Sequence, residues 1–164
     1  VINAKAIHDV TGKKRYYLIK TWDEKKPIVT SLLYNPNDAT SLMNDKTVNN
    51  VFNITVQAEN NRFGSLIVVN LIPIKSKSPS LLSKHEKLED EDNVEFLKEA
   101  FYLSDIILVG WGVDGGKIRN FPKTKELLLQ HRSKLRCLGT TGNNIPSHPS
   151  RKTDKVIWSI YTLT

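Results

Sequence analysis

The sequence predicts an α/β fold of three layers (αβα), with helices on both sides of a central, mostly parallel sheet. Three observations carry that expectation. Apolar runs alternate with stretches of helical spacing at regular intervals, as strand–helix–strand units require. Two of the runs, residues 65–72 and 105–110, are apolar on both faces, as strands covered on both sides must be. The chemically expressive polar residues fall where these runs end, and in open α/β sheets ligands bind beyond the carboxyl ends of the strands. A chain of 164 residues is read as a single domain, 1–164, long enough to bury a sizeable core.

Taken in order, residues 1–13 show no firm period, although Thr11-Gly12 suggests a turn. Arg15-Tyr16-Tyr17-Leu18-Ile19-Lys20-Thr21-Trp22 is rich in β-formers and predicts a strand, placed at an edge of the sheet. Residues 28–34 predict a second strand that stops at Asn35-Pro36. Proline has no backbone N–H to offer the ladder, and it pushes the residue before it towards an extended conformation. Val48, Val51, Phe52, Ile54 and Thr55 then recur at helical spacing, so a helix is expected over 47–59, capped by Asp45 or Thr47.

Phe63-Gly64 makes the return into the strand 65–72, and a basic, serine-rich loop follows at 75–83. Residues 91–103 form an amphipathic helix with Val94, Leu97, Ala100, Phe101 and Leu103 inward; its acidic first turn suits the helix dipole. The strand 105–110 leaves through Trp111-Gly112. A helix over 123–133 turns Leu127 and Leu128 inward, and a strand over 134–139 enters a loop at 140–152. The short apolar stretch 155–163 fits strand and helix equally.

Composition narrows the class. A hydrophobic fraction of 39% with 25% charged residues is that of a soluble globular chain. No apolar run approaches the roughly 18 residues that cross a membrane, and no signal peptide is visible. The start at Val1 rather than Met points to removal of a residue or more. The single cysteine, Cys137, rules out an internal disulfide, suits a reducing cytoplasmic location, and reads as a buried inert thiol. Net charge is +7, yet residues 84–99 hold three lysines against seven acids, so the rest of the chain carries +11. Such asymmetry favours a polyanionic partner bound through phosphate contacts, with plain solubility as the alternative.

Four strand exits carry the candidate chemistry: Asn35 and Asp38; Asn70; Gly110-Trp111-Gly112; and Ser147-His148-Pro149-Ser150-Arg151. Each has an ordinary reading. Asn and Asp beside proline are common turn residues, and an isolated histidine is usually a surface loop residue. Asn70 stands out, because an amide ending an apolar strand is costly unless partnered. Gly110-Trp111-Gly112-Val113-Asp114-Gly115 satisfies the dinucleotide pattern G-x-G-x-x-G. It comes late, however, and the next strand brings no acidic residue for a ribose. Four scattered histidines and one cysteine suggest no metal site, and no G-x-S-x-G or Cys/His pair supports nucleophilic catalysis.

In order, these exits resemble the uracil-DNA glycosylase superfamily. That superfamily has a G-x-[DN]-P first motif, a strand ending in Asn, a Trp-Gly strand exit and a late His-Pro-Ser loop. Here they correspond to Tyr34-Asn35-Pro36, Val69-Asn70, Gly110-Trp111-Gly112 and His148-Pro149-Ser150. The chain is also similar to an uncharacterised bacterial and phage family of the pattern R-Y-x-L, L-x-N-P, V-V-N-L, W-G and C-L-G…P-x-H-P. Arg15-Tyr16-Tyr17-Leu18 and Cys137-Leu138-Gly139 fit that pattern.

The resemblance implies a glycosylase-like fold and a base-excising mechanism in which a flipped nucleotide enters a pocket at the strand ends. It makes Asn35 and His148 catalytic: Asn35 positions the attacking water, and His148 stabilises the departing base. Tyr34, Asn37, Phe52 and Asn70 become substrate-binding, with Asn70 reading uracil N3–H and O4 and Phe52 the candidate for stacking on the base. Ser150 and Arg151 become DNA contacts. No metal or cofactor is implied. The partner is single- or double-stranded DNA, with a proteinaceous glycosylase inhibitor as a further one, and the chain is expected to be a monomer free of membrane. Tyr34 replaces the usual opening Gly of the first motif, and Asn37 stands where many members place Tyr or Gly. Two rival expectations are a nucleic-acid-binding module that kept the fold without the chemistry, and an enzyme acting on free or modified nucleotides.

Overall fold

The computed structural model describes residues 2–113, 118–151 and 157–164. Among the described residues seven strands form one sheet: β1 (Asn3–His8), β2 (Arg15–Thr21), β3 (Ile28–Leu33), β4 (Ser65–Asn70), β5 (Ile106–Val109), β6 (Leu135–Cys137) and β7 (Ser159–Ile160). Three α-helices connect them: α1 (Lys46–Gln57), α2 (Glu91–Leu103) and α3 (Pro122–Gln130). The spatial order is β1-β2-β4-β3-β5-β6-β7.

The sheet is parallel at its centre, as expected, and mixed once its outer strands are counted. β4, β3, β5 and β6 run parallel at its centre, while β1, β2 and β7 add to the outside antiparallel. The centre follows from sequence, since strands buried on both faces need helical crossovers to return the chain. The outer strands break the expectation because each reaches its neighbour by a different route. β1 and β2 form a hairpin through the turn at Gly12, where φ is +70°. β2 is therefore interior, between β1 and β4, and not the edge strand expected from the sequence.

The helices lie on both faces, compatible with a three-layer arrangement. α1 packs through Val48 and Val51 against Leu18, Val29, Leu66, Val68 and Leu108. On the other face Leu97, Ala100 and Phe101 of α2 and Leu128 of α3 meet Leu32, Ile67, Val69, Ile107 and Leu135. Asp45 caps α1, its carboxylate accepting from Val48 N at 2.8 Å, and Asp90 caps α2 through Asn93 N at 2.9 Å. Leu103, expected inward, ends its helix 44% exposed, because Ser104 already leaves the helical conformation there. Glu89 caps α3 from outside, accepting from the N–H groups of Lys123 and Thr124. Part of the acidic segment 84–99 is thereby spent on helix ends.

Strand order also fixes where a ligand fits. From β3 the chain crosses through α1 to β4 on one side; from β5 it crosses through α3 to β6 on the other. The sheet's direction of growth thus reverses between β3 and β5, and the crevice beyond the carboxyl ends of those two strands is the switch point where ligands bind.

Candidate functional site

A cavity of about 570 Å³ opens at that switch point. It is lined from four strand exits at once. β3 supplies Tyr34, Asn35 and Asn37, β4 supplies Asn70, β5 supplies Trp111 and Gly112, and the loop after β6 supplies Ser147, His148 and Ser150. Ser76, Lys77 and Pro79 bring the basic, serine-rich loop to its rim.

Backbone bonds zip the exits together. Leu71 N and Ile72 N donate to Leu33 O and Tyr34 O, each at 2.9 Å, and Gly112 N donates to Pro146 O at 3.0 Å. Gly112 has φ +67°, and a Cβ there would stand 3.0 Å from His148 Cβ. Glycine is required on both counts: for its left-handed backbone and for the close approach of the histidine. The second glycine of Gly110-Trp111-Gly112 therefore serves His148, in place of the phosphate approach of a dinucleotide motif. Gly115, the last residue of that pattern, lies outside the described residues.

His148 is held by its own loop. Ser150 N donates to His148 Nδ1 at 3.3 Å, and Ser150 Oγ sits 2.9 Å from the same nitrogen. A backbone N–H can only donate, so Nδ1 is the acceptor and the neutral ring carries its proton on Nε2. Ser150 orients the ring as well as lining the cavity. Asn50 of α1 steadies the loop from below, donating to Pro149 O at 3.0 Å.

Asn35 donates both amide hydrogens to backbone, to Pro36 O at 3.0 Å and Ser76 O at 2.9 Å. What its side chain can offer a ligand is Oδ1, an acceptor. Asn70 is 1% exposed, and its backbone carbonyl accepts from Asn93 Nδ2 at 2.8 Å. Its Oδ1 accepts from Arg15 Nη2 at 3.4 Å, and its Nδ2 has no partner among the described residues. Asn37 likewise leaves a buried Oδ1 unpartnered among them.

One expected residue falls elsewhere, and one is not described far enough to place. Phe52 does not line the cavity; its ring stands edge-on to Trp22, centroids 5.1 Å apart, in the α1-side core. Its helical period was correct, but the face it shares with Val48 and Val51 points into packing. Tyr34 and Trp111 are the aromatic rings of the cavity wall. Arg151 closes a short 3-10 turn, and its side chain lies outside the described residues.

The sequence reading missed Arg15 as a site residue. β2 runs antiparallel to β4, pairing Leu18 with Val68, so its first residue arrives beside the exit of β4. Arg15 is 1% exposed there, and burial pulls its pKa down to about 10. The available signal was a cation opening a four-residue buried run, Arg15-Tyr16-Tyr17-Leu18. Among the described residues no group of three or more His, Cys, Asp or Glu comes together as a metal centre would need, and no helix is long and apolar enough to cross a membrane.

This is an α/β domain with a polar, amide-rich cavity at the switch point of its sheet. A family model matches residues 15–150, from the buried arginine to the serine that holds His148; the chain belongs to the family described as "Protein of unknown function (DUF1643)". No curated protein matches it.

Proposed function

We propose that the chain is a DNA glycosylase of the uracil-DNA glycosylase type, excising uracil or a related damaged pyrimidine by base flipping and hydrolysis. The observation that carries this reading is the convergence of Asn35, Asn70 and His148, from three separate strand exits, on one cavity. Their chemistry suits the reaction. The sugar C1′–N1 bond breaks with its electron pair on the base, where charge spreads onto the carbonyl oxygens. Water bonds to C1′ and loses a proton, the base gains one, and nothing else is consumed.

In this reading Asn70 Nδ2–H donates to the base O4, and His148, protonated on Nε2, donates to O2. Such preorganised donors act where charge develops and need no reorganisation. Asn35 Oδ1 accepts from the attacking water; as a neutral amide it orients that water without acting as a strong base. Tyr34 and Trp111 supply aromatic walls for a flipped base. Lys77 and the +11 balance outside residues 84–99 support a polyanionic partner at the cavity rim.

The test is release of uracil from a labelled single-stranded oligonucleotide. Wild type is expected to leave abasic sites, and His148→Ala to slow their formation about 10²- to 10³-fold, the usual loss on removing one such donor. Asn70→Ala is expected to slow it at least about tenfold. DNA binding without any abasic product would sink the proposal in favour of a binding module. Hydrolysis confined to free nucleotides would replace it with a nucleotide enzyme.

A further inference from the structure

Arg15 is a buried cation with no buried anion beside it among the described residues. None of the ion pairs among the described residues includes it, and the acid it feels, Asp45, acts only through the field. Even with its pKa lowered to about 10 by burial, it is charged at neutral pH. Two nitrogens are fixed. Nη1 donates to Ala39 O at 2.9 Å, and Nη2 donates to Asn70 Oδ1 at 3.4 Å. Nε has no partner among the described residues.

The contact with Asn70 decides what that amide presents. With Oδ1 turned to the guanidinium, Nδ2 is the end left for a ligand, and both residues line the same cavity. A buried charge and an unsatisfied buried donor are each costly by themselves. Together they make a preformed environment for an acceptor that carries negative charge.

We infer that Arg15 is a positioning residue for leaving-group departure: through Asn70 it holds a polarised N–H donor against the base oxygen on which negative charge collects. The inference rests on the glycosylase reading and specifies how that site drives the reaction. Donation by Arg15 into Oδ1 draws electron density through the amide and strengthens Nδ2–H as a donor, as in any hydrogen-bonded chain. The neutral base gains little from this. The departing anion gains more, and only such a difference accelerates the step. His148 would serve one carbonyl oxygen of the base and the Arg15–Asn70 pair the other.

The experiment compares single-turnover excision of uracil and of 5-fluorouracil by wild type, Arg15→Met and Arg15→Lys. Fluorine stabilises the base anion, so 5-fluorouracil needs less help from the protein. Arg15→Met is expected to lose about 30-fold on uracil but only about threefold on 5-fluorouracil, and Arg15→Lys to recover most of that gap. Equal losses on both bases, or none, make Arg15 purely structural and overturn the inference. Failure of wild type to excise either base overturns the glycosylase reading itself, and the inference with it. Should Arg15→Met not fold, Asn70→Asp is the second variant. It keeps the shape, pairs the cation with a carboxylate, and is expected to raise the melting temperature while widening the ratio of 5-fluorouracil to uracil rates. An unchanged ratio is again fatal.

Discussion

Buried polar side chains are treated in opposite ways along strand β3. Under the strand, Thr30 Oγ1 lies 2.6 Å from Ser104 Oγ, and both hydroxyls reach Ala100 O, at 3.2 and 2.8 Å. Every group in that cluster is answered by another, and the cluster locks β3 to the end of α2. Just beyond the exit of β3, Arg15 Nε, Asn37 Oδ1 and Asn70 Nδ2 have no partner among the described residues. Ser31, adjacent to Thr30, also has no partner for its hydroxyl among the described residues, so closure belongs to the Thr30 cluster and not to the strand as a whole. Each unanswered buried group costs about 1–3 kcal/mol. The closed cluster ties the sheet to α2; the open one leaves donors and acceptors unpartnered at the cavity.

The contrast is sharpest if one end can be broken without touching the other. Thr30→Val keeps the volume and removes the hydroxyl. It is expected to cost about 1–2 kcal/mol in denaturant unfolding and to leave uracil excision at the wild-type rate. Asn37→Ala should do the reverse. It removes a buried acceptor that makes no bond among the described residues, so stability is expected to hold or to rise by up to about 1–3 kcal/mol while excision slows several-fold. A Thr30 variant that loses activity, or an Asn37 variant that unfolds instead, would erase the distinction between the two regions.

That distinction also sorts what the sequence made legible. Asn35, Asn70 and His148 were visible because each breaks an apolar run or sits beside proline, a pattern that survives without any knowledge of tertiary partners. Arg15 was not, because a cation opening a strand ordinarily reads as solvent-facing; only the antiparallel pairing of β2 with β4 carries it to the exit of β4. The helix bearing Phe52 was legible from its period, but its ring turns to Trp22, a contact across a long stretch of chain that spacing does not encode. The outermost strands were hidden for a related reason. β1 has no fully buried residue and β7 is two residues long, so neither has enough buried positions to show a period.

A smaller test lies on the far side of α2, away from the cavity. His131 follows α3, its ring edge-on to Phe101 with centroids 6.2 Å apart. Burial, with a lesser push from Lys134, lowers its pKa below 6.5. The unfolded chain then binds a proton at a higher pH than the folded one, so between the lowered value and 6.5 stability rises with pH. The stabilising preference for the neutral ring is fully present above 6.5 and is lost as pH falls through the folded value. Thermal melts at pH 7.5 and 5.0 are expected to differ less in His131→Gln than in wild type, with excision at pH 7.5 unchanged. A variant whose pH slope matches that of wild type would show that the ring is not desolvated against Phe101. Because the group is remote from the strand exits, a change in excision would instead mean that packing on the α2 face reaches the open cluster, and that the two regions are not independent.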